Sequence, residues 1–323
     1  MKIKDIREDK NFRGHAAIFT AQLIFGANMV IGKKALASPY VTPDALTFYR
    51  MVGASVLFWI FSLFGPREKV ARKDLFMLFF ASLFGIMLNQ YFFIHGLALT
   101  SPINASMIST LGPIITMIIA ALYLHEPITF QKAGGVALGM AGAFILIFAG
   151  RGGGSLDGNL KGDLLCLLSC LSFAIYLTFF RDLVRRYSSV TVMKWMFLYA
   201  ALCSLPFSYE SLSPQIWRAM PWDILASVLY VVVFATFIAY LLLPVGQRYL
   251  RPTVVSMYNN LQPLVASIIS VAIGIASFGW IKGLAAALIF AGVYITTTSK
   301  SRAQLEAAGA ATKGKNRTKG GKV

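Results

Sequence analysis

Ten apolar stretches, separated by short polar breaks, take up most of this chain. A membrane helix needs about 20 apolar residues at 1.5 Å rise each. The stretches fall near residues 14–33, 43–64, 74–96, 101–124, 131–149, 162–182, 190–209, 222–246, 252–275 and 278–299. The breaks carry turn chemistry: Ser38-Pro39, Gly65-Pro66, Ser101-Pro102, Gly152-Gly153-Gly154, Pro214 and Pro252. Of the 323 residues 57% are hydrophobic and 13% charged, against about 25% charged in a typical soluble protein. That balance excludes a disordered chain, a disulfide scaffold and an ordinary cytosolic enzyme. The expected fold class is all-α, a polytopic membrane protein with ten transmembrane helices.

The net charge of +17 comes from 30 Lys and Arg against 13 Asp and Glu. Its distribution argues for orientation in a membrane and against nucleic acid as a partner. With the N-terminus inside, twenty-three basic residues fall on inner segments and six on outer ones, with Arg50 left inside a span. Such a split obeys the positive-inside rule and places both termini in the cytoplasm. Cys166, Cys170 and Cys203 all fall in apolar segments without zinc spacing, so packed thiols are expected, with no metal and no cofactor. The Ala35-Leu36-Ala37 sequence has the look of a cleavage site, but the apolar run before it is long for a signal, and a retained first helix is expected.

Shifted by 150 residues, the chain matches itself. Pro102 meets Pro252, Ser106 meets Ser256, Leu111 meets Leu261, Pro113 meets Pro263, Lys132 meets Lys282 and Gly142 meets Gly292. Upstream the shift is 148, where Phe25 meets Phe173 and Asn28 meets Tyr176. Each copy holds five spans, an odd number, so the second copy enters the membrane inverted. Inverted repeats are a transporter architecture, with the substrate at their interface near the midplane. The organisation read from this is a cytoplasmic segment 1–13, a first repeat 14–149, a Gly-rich linker 150–161, a second repeat 162–300 and a disordered basic cytoplasmic tail 301–323.

The residues Phe48-Tyr49-Arg50, the run Thr100 to Ser106, Pro113, the run Leu124-His125-Glu126-Pro127-Ile128-Thr129, and Gly134-Gly135 with Gly142 carry a resemblance. In them the chain resembles the EamA family of the drug/metabolite transporter superfamily over nearly its whole length. The resemblance implies two five-helix units around a central cavity, helices five and ten at the periphery, and movement of metabolites across a membrane, often as export. It also makes the bacterial inner (plasma) membrane the expected location. The second copy departs from the pattern, with Ala276 and Ser277 where Glu126 and Pro127 stand.

Polar groups within spans are costly and face the bundle interior. At about 100° per residue, Ser256, Asn259, Asn260, Pro263 and Ser267 fall on one arc with Gln262 at its edge; the first-half equivalents are Ser106, Ser109, Thr110 and Pro113. Cavity walls and helix-to-helix packing both explain these arcs. Asn28 and Tyr176 are expected to line the cavity from opposite halves, with Gln22 a weaker candidate. Asn89 needs a partner or a substrate, whereas Ser82, Gly85 and Gly96 on its face read as close packing. His95 reads as a satisfied interface residue, and Thr236 and Tyr240 form an i, i+4 pair. Arg50 is either an anchor for an acidic substrate group or a structural residue; Asp44, six residues away, is a poor partner within one helix. Glu126 is expected to complement the N-terminus of the next helix.

No acidic residue lies mid-span, so no carboxylate proton relay is evident, and neutral, zwitterionic or anionic metabolites are favoured over cations. The expected function is a secondary transporter, an exporter of small metabolites such as amino acids, working as a monomer or weak homodimer in the lipid bilayer. A membrane-embedded enzyme of lipid-linked substrates and a non-transporting scaffold are the alternatives. The enzyme lacks a nucleophile–base or metal constellation, and the scaffold does not require polar arcs in both halves.

Overall fold

The computed structural model describes residues 3–65, 68–99, 108–149, 160–208, 220–272 and 280–299, and among these residues it is all helical. The long elements are α1 (Ile3–Leu36), α2 (Pro43–Ser62), α3 (Arg72–Leu99), α4 (Gly112–Tyr123), α5 (Phe130–Ala149) and α6 (Leu160–Phe179). A short α7 (Arg181–Arg186) leads to α8 (Ser189–Ser208), α9 (Trp222–Tyr249), α10 (Pro252–Met257), α11 (Leu261–Ala272) and α12 (Trp280–Thr298). Six described segments are long and apolar enough to cross a membrane: Asn11–Leu36, Pro43–Ser62, Arg72–Leu99, Leu160–Phe179, Ser189–Pro206 and Trp222–Tyr249. Helix starts follow local chemistry. Thr42 caps α2 by accepting from the Ala45 N–H at 3.2 Å, with Pro43 at the first helical position. Thr129 does the same for α5, accepting from Lys132 N–H at 3.1 Å. Glu126, ahead of α5, pairs with Lys132 in its first turn, at 2.8 Å.

The internal repeat is visible in the irregularities of the helices. α3 contains a π-helical turn at Leu83–Met87 and α9 one at Val233–Ile238, at equivalent positions under the 150-residue shift. Ahead of the paired prolines, the backbone tightens in both halves. Tyr258–Asn260 form a 3₁₀ turn before Pro263, and Leu111 N–H bonds back to Ile108 O at 2.9 Å before Pro113. Proline has no N–H to continue an α-helical ladder, and a tighter turn satisfies the neighbouring carbonyls before it.

Packing repeats the same symmetry. α1 lies on α9 and α11, while its counterpart α6 lies on α3 and α4. α2 pairs with α8, and α5 with α12, each with its own counterpart. A large core unites these helices, with Met51, Phe58, Met193 and Phe197 fully buried where α2 meets α8. One end of the bundle is basic and clamps the two repeats through polar loops: Asp74 accepts from Arg186 at 3.1 Å and from the Tyr187 hydroxyl at 2.7 Å. There Glu68 also accepts from Ser188 N–H at 2.9 Å. Partial burial pushes the Glu68 carboxyl up, but hydrogen bonds from Thr191 and Ser188 outweigh it and hold the group below its ordinary value. At the opposite end, Lys34 pairs with Asp223 at 2.9 Å and Asp44 with His95 at 3.0 Å.

Candidate functional site

A cavity of about 140 Å³ lies where the two repeats face each other, with space on the order of ten waters. Its wall is built from equivalent residues of the two halves. Phe25 and Phe173, Gln22 and Cys170, Gln90 and Tyr240, Phe93 and Leu243, Ser109 and Asn259, and Gly112 and Gln262 all line it. Each of these pairs is related by the 148- or 150-residue shift. Gln90 donates to the hydroxyl of its own counterpart Tyr240, so this hydrogen bond straddles the pseudo-two-fold axis. The cavity is thus centred on that axis. α5 and α12 contribute nothing to its lining among the described residues.

Of the polar residues singled out in the sequence, Gln22, Asn28, Arg50, Asn89, Ser109, Thr110, Tyr240, Ser256, Asn259 and Gln262 line the cavity. A string of amides runs along one wall: Gln262 donates to Gln22 at 2.6 Å, and Gln22 donates to Asn259 at 2.9 Å. Asn89 donates to the Ser169 hydroxyl at 3.0 Å, and the buried side-chain oxygen of Asn28 accepts no hydrogen bond among the described residues. Ser106 lies outside the described residues.

Two expectations are corrected. Tyr176 does not reach the cavity; it is buried beneath α3, with its ring against Gly85 and its hydroxyl donating to Gln247 at 3.2 Å. Asn260 is 1% exposed and turned away, toward Gly139 on α5, and neither polar side-chain atom has a hydrogen-bond partner among the described residues. The 3₁₀ turn supplies the reason. Three steps at about 120° instead of 100° advance the register by about 60°. This carries Asn260 off the polar arc and swings Gln262 from its edge into it. With the native cysteines replaced by serine, Asn259→Cys is therefore expected to react with a water-soluble methanethiosulfonate, and Asn260→Cys to stay unlabelled. Equal reactivity at the two positions would contradict the rotated register.

Arg50 is the one charged residue among the described cavity lining. It is 5% exposed, and its Nε–H donates to Thr236 Oγ1 at 3.0 Å. Thr236 in turn donates to the Val231 carbonyl at 2.7 Å, a five-residue reach that the π turn of α9 permits. The threonine hydrogen is therefore spent on the backbone, and its lone pairs are left for the guanidinium. Asp44 is engaged by His95, so no carboxylate neutralises Arg50 among the described residues. Gln90, Ser169 and Cys170 escaped singling out as cavity candidates; the signal that could have found Gln90 is its position 150 residues before Tyr240. Among the described residues no group of three or more His, Cys, Asp or Glu gathers to hold a metal ion.

The EamA-like transporter family model matches residues 12–148 and again 160–298. The uncharacterized transporter YetK of Bacillus subtilis is 22% identical over 91% of this chain and 89% of its own. The S-adenosylmethionine/S-adenosylhomocysteine transporter of Chlamydia muridarum is 26% identical over 82% of each chain. A solved crystal structure superposes with a TM-score of 0.74 over 90% of this chain and 96% of its own, at 19% identity, a likeness of fold. Two matched repeats, paired irregularities in equivalent helices and a cavity on the axis between them agree with one another: the chain belongs to the EamA-like transporter family.

Proposed function

We propose that the protein is a secondary transporter that exports small metabolites bearing a carboxylate or similar anionic group, zwitterions such as amino acids included. The reading takes the bundle as ten spans in two inverted repeats, in a bacterial inner membrane, with both termini cytoplasmic. It works as a monomer or weak homodimer, and the repeats rock about the axial cavity to expose it alternately to either side. The observation that carries the reading is Arg50: a buried cation in the lining of an axial cavity that has no acidic wall among the described residues. A guanidinium in that setting favours a carboxylate ligand. The aromatic pair Phe25 and Phe173 and the amide string supply apolar contact and neutral hydrogen bonds to the rest of the solute.

The test is uptake of a panel of radiolabelled anionic, zwitterionic, neutral and cationic metabolites into proteoliposomes. Saturable uptake of an anionic or zwitterionic member is expected, competed by unlabelled solute. It is expected to persist when an uncoupler collapses the proton gradient, because the cavity wall offers no carboxylate relay among the described residues. Uptake confined to cations, or complete loss under the uncoupler with the solute gradient intact, would overturn the reading.

A further inference from the structure

The basic end of the bundle holds a second cluster of charge, apart from the cavity. Lys132 stands in the first turn of α5, Arg181 begins α7 and Arg251 precedes α10, so helix ends from both repeats bring cations together. Lys132 Nζ sits 2.8 Å from Glu126 Oε2 and is 1% exposed. Arg181 Nη1 comes to 3.6 Å from Glu126 Oε1, close enough for charge attraction and too far for a hydrogen bond. Arg251 lies in the electrostatic field of both Glu126 and Arg181, and Lys132 in the field of all three. Three cations thus share one carboxylate. At the rim, Arg185 faces Arg181 and Glu126 together with its neighbour Asp182.

Counter-charge is short here, and a buried charge without a partner is strongly unfavourable. Hydrogen bonding is short as well. Arg181 Nε and Glu126 Oε1 are sealed from solvent and make no hydrogen bond among the described residues. Arg251 spends Nη2 on the Thr296, Thr297 and Ser299 carbonyls at the end of α12, and its other nitrogens make no hydrogen bond among the described residues. The surrounding surface is apolar and aromatic. Tyr123 and Phe179 stack with centroids 4.0 Å apart, 50% and 42% exposed, and Phe130, two residues before Lys132, is fully exposed. Exposed aromatic residues beside a basic cluster at helix ends mark the headgroup level of a bilayer, where basic pockets take anionic headgroups.

We propose that Arg181 and Arg251 bind the phosphate of an anionic phospholipid headgroup at the basic end, between the two repeats, with Tyr123, Phe179 and Phe130 against its acyl chains. Guanidinium groups match phosphate oxygens in pairs, and one phosphate here supplies the missing negative charge. The bound lipid then ties α7 and α10 of the second repeat to the α4–α5 turn of the first.

The test is native mass spectrometry and thermal melting of the full chain in detergent. The additives are dioleoyl-phosphatidylglycerol, dioleoyl-phosphatidylcholine or inorganic phosphate. Retention of phosphatidylglycerol and a melting shift above that given by phosphatidylcholine are expected for the wild type. Both are expected to fall at least severalfold in Arg181→Gln and to recover in part in Arg181→Lys. Arg185→Gln, at the rim, is expected to keep them. An equal shift by inorganic phosphate and phosphatidylglycerol supports the anion site and assigns it to the bare anion. No preference over phosphatidylcholine in the wild type, with no shift by phosphate, overturns the proposal. Should Arg181→Gln fail to fold, Arg251→Lys serves as the second variant, and undiminished phosphatidylglycerol retention in it counts against the site.

Discussion

Arg50→Leu is expected to abolish saturable uptake and at the same time to raise the melting temperature of the protein. The two effects have one cause. Arg50 is buried without an acidic partner among the described residues, and a cation at the centre of a membrane helix costs about 2.5–3.5 kcal/mol on insertion scales. Removing it removes that cost. It leaves no new orphan donor at Thr236, whose hydroxyl hydrogen already goes to the Val231 carbonyl. A gain of about 1–2 kcal/mol corresponds to a rise of roughly 2–8 °C. Transport moves the other way, because the site loses the one charge in its described lining. Truncating one side of a buried, hydrogen-bonded charge pair costs about 2–5 kcal/mol, so kcat/KM for an anionic solute is expected to fall by about 30-fold or more.

Graded variants separate charge from geometry. Arg50→Lys keeps the charge but loses both the Nε bond to Thr236 and the planar fork, and is expected to retain a fraction of the activity. Thr236→Val is expected to raise KM more than it lowers kcat, since it frees the guanidinium to wander, and Thr236→Ser is expected to restore it. Uptake assays in proteoliposomes and melting curves on the same preparations check all four variants. Wild-type uptake in Arg50→Leu would sink the anchor role outright. A fall in melting temperature would mean that Arg50 is a structural partner of α9.

The features of this site that could be read from sequence are those that depend on composition and periodicity. Apolar run lengths locate the long helices, and the paired prolines at 113 and 263 expose the repeat that places a cavity on its axis. What escaped depends on breaks in that periodicity. A uniform 100° step puts Asn260 in the cavity and Gln262 at its edge; the 3₁₀ turn at Tyr258–Asn260 reverses them. The π turn in α9 likewise has no signature in residue type, yet it sets the Thr236 hydroxyl between Arg50 and Val231 O. Tyr176 departs from its expected place for a different reason: Gly85 on the facing helix leaves room for its ring, and partners across a helix interface are not encoded in one helix's own spacing. Asp44 meets His95, from another helix, by the same kind of non-local encounter.

The largest effect on folding is expected at the crossing of α5 and α12. A Cβ placed on Gly292 would lie 2.5 Å from the Gly139 nitrogen, 2.6 Å from its Cα and 2.7 Å from the Gly135 carbonyl oxygen. All three are backbone atoms, so no rotamer change relieves the clash, and the helices must separate. The crossing is two-fold in character: Gly142, the counterpart of Gly292, would meet the Ala285 carbonyl at 2.8 Å. Separation therefore opens the contact along its whole length. Small residues let membrane helices approach closely, and van der Waals contact drives much of their association. Overpacking in well-packed interiors costs about 1–3 kcal/mol, and a backbone collision belongs at or above the top of that range. Gly292→Ala is expected to lower the melting temperature by roughly 6 °C or more, and Gly292→Val to prevent accumulation of folded protein. Gly134 and Gly283 lie on the same two helices, and a Cβ added to either would meet nothing within 4 Å. Alanine there is expected to be neutral or stabilising by up to about 1 kcal/mol through helix propensity. Melting curves for the three alanine variants decide the matter: equal effects at all three positions would show that glycine content, and not close approach at the crossing, governs the stability of this pair of helices.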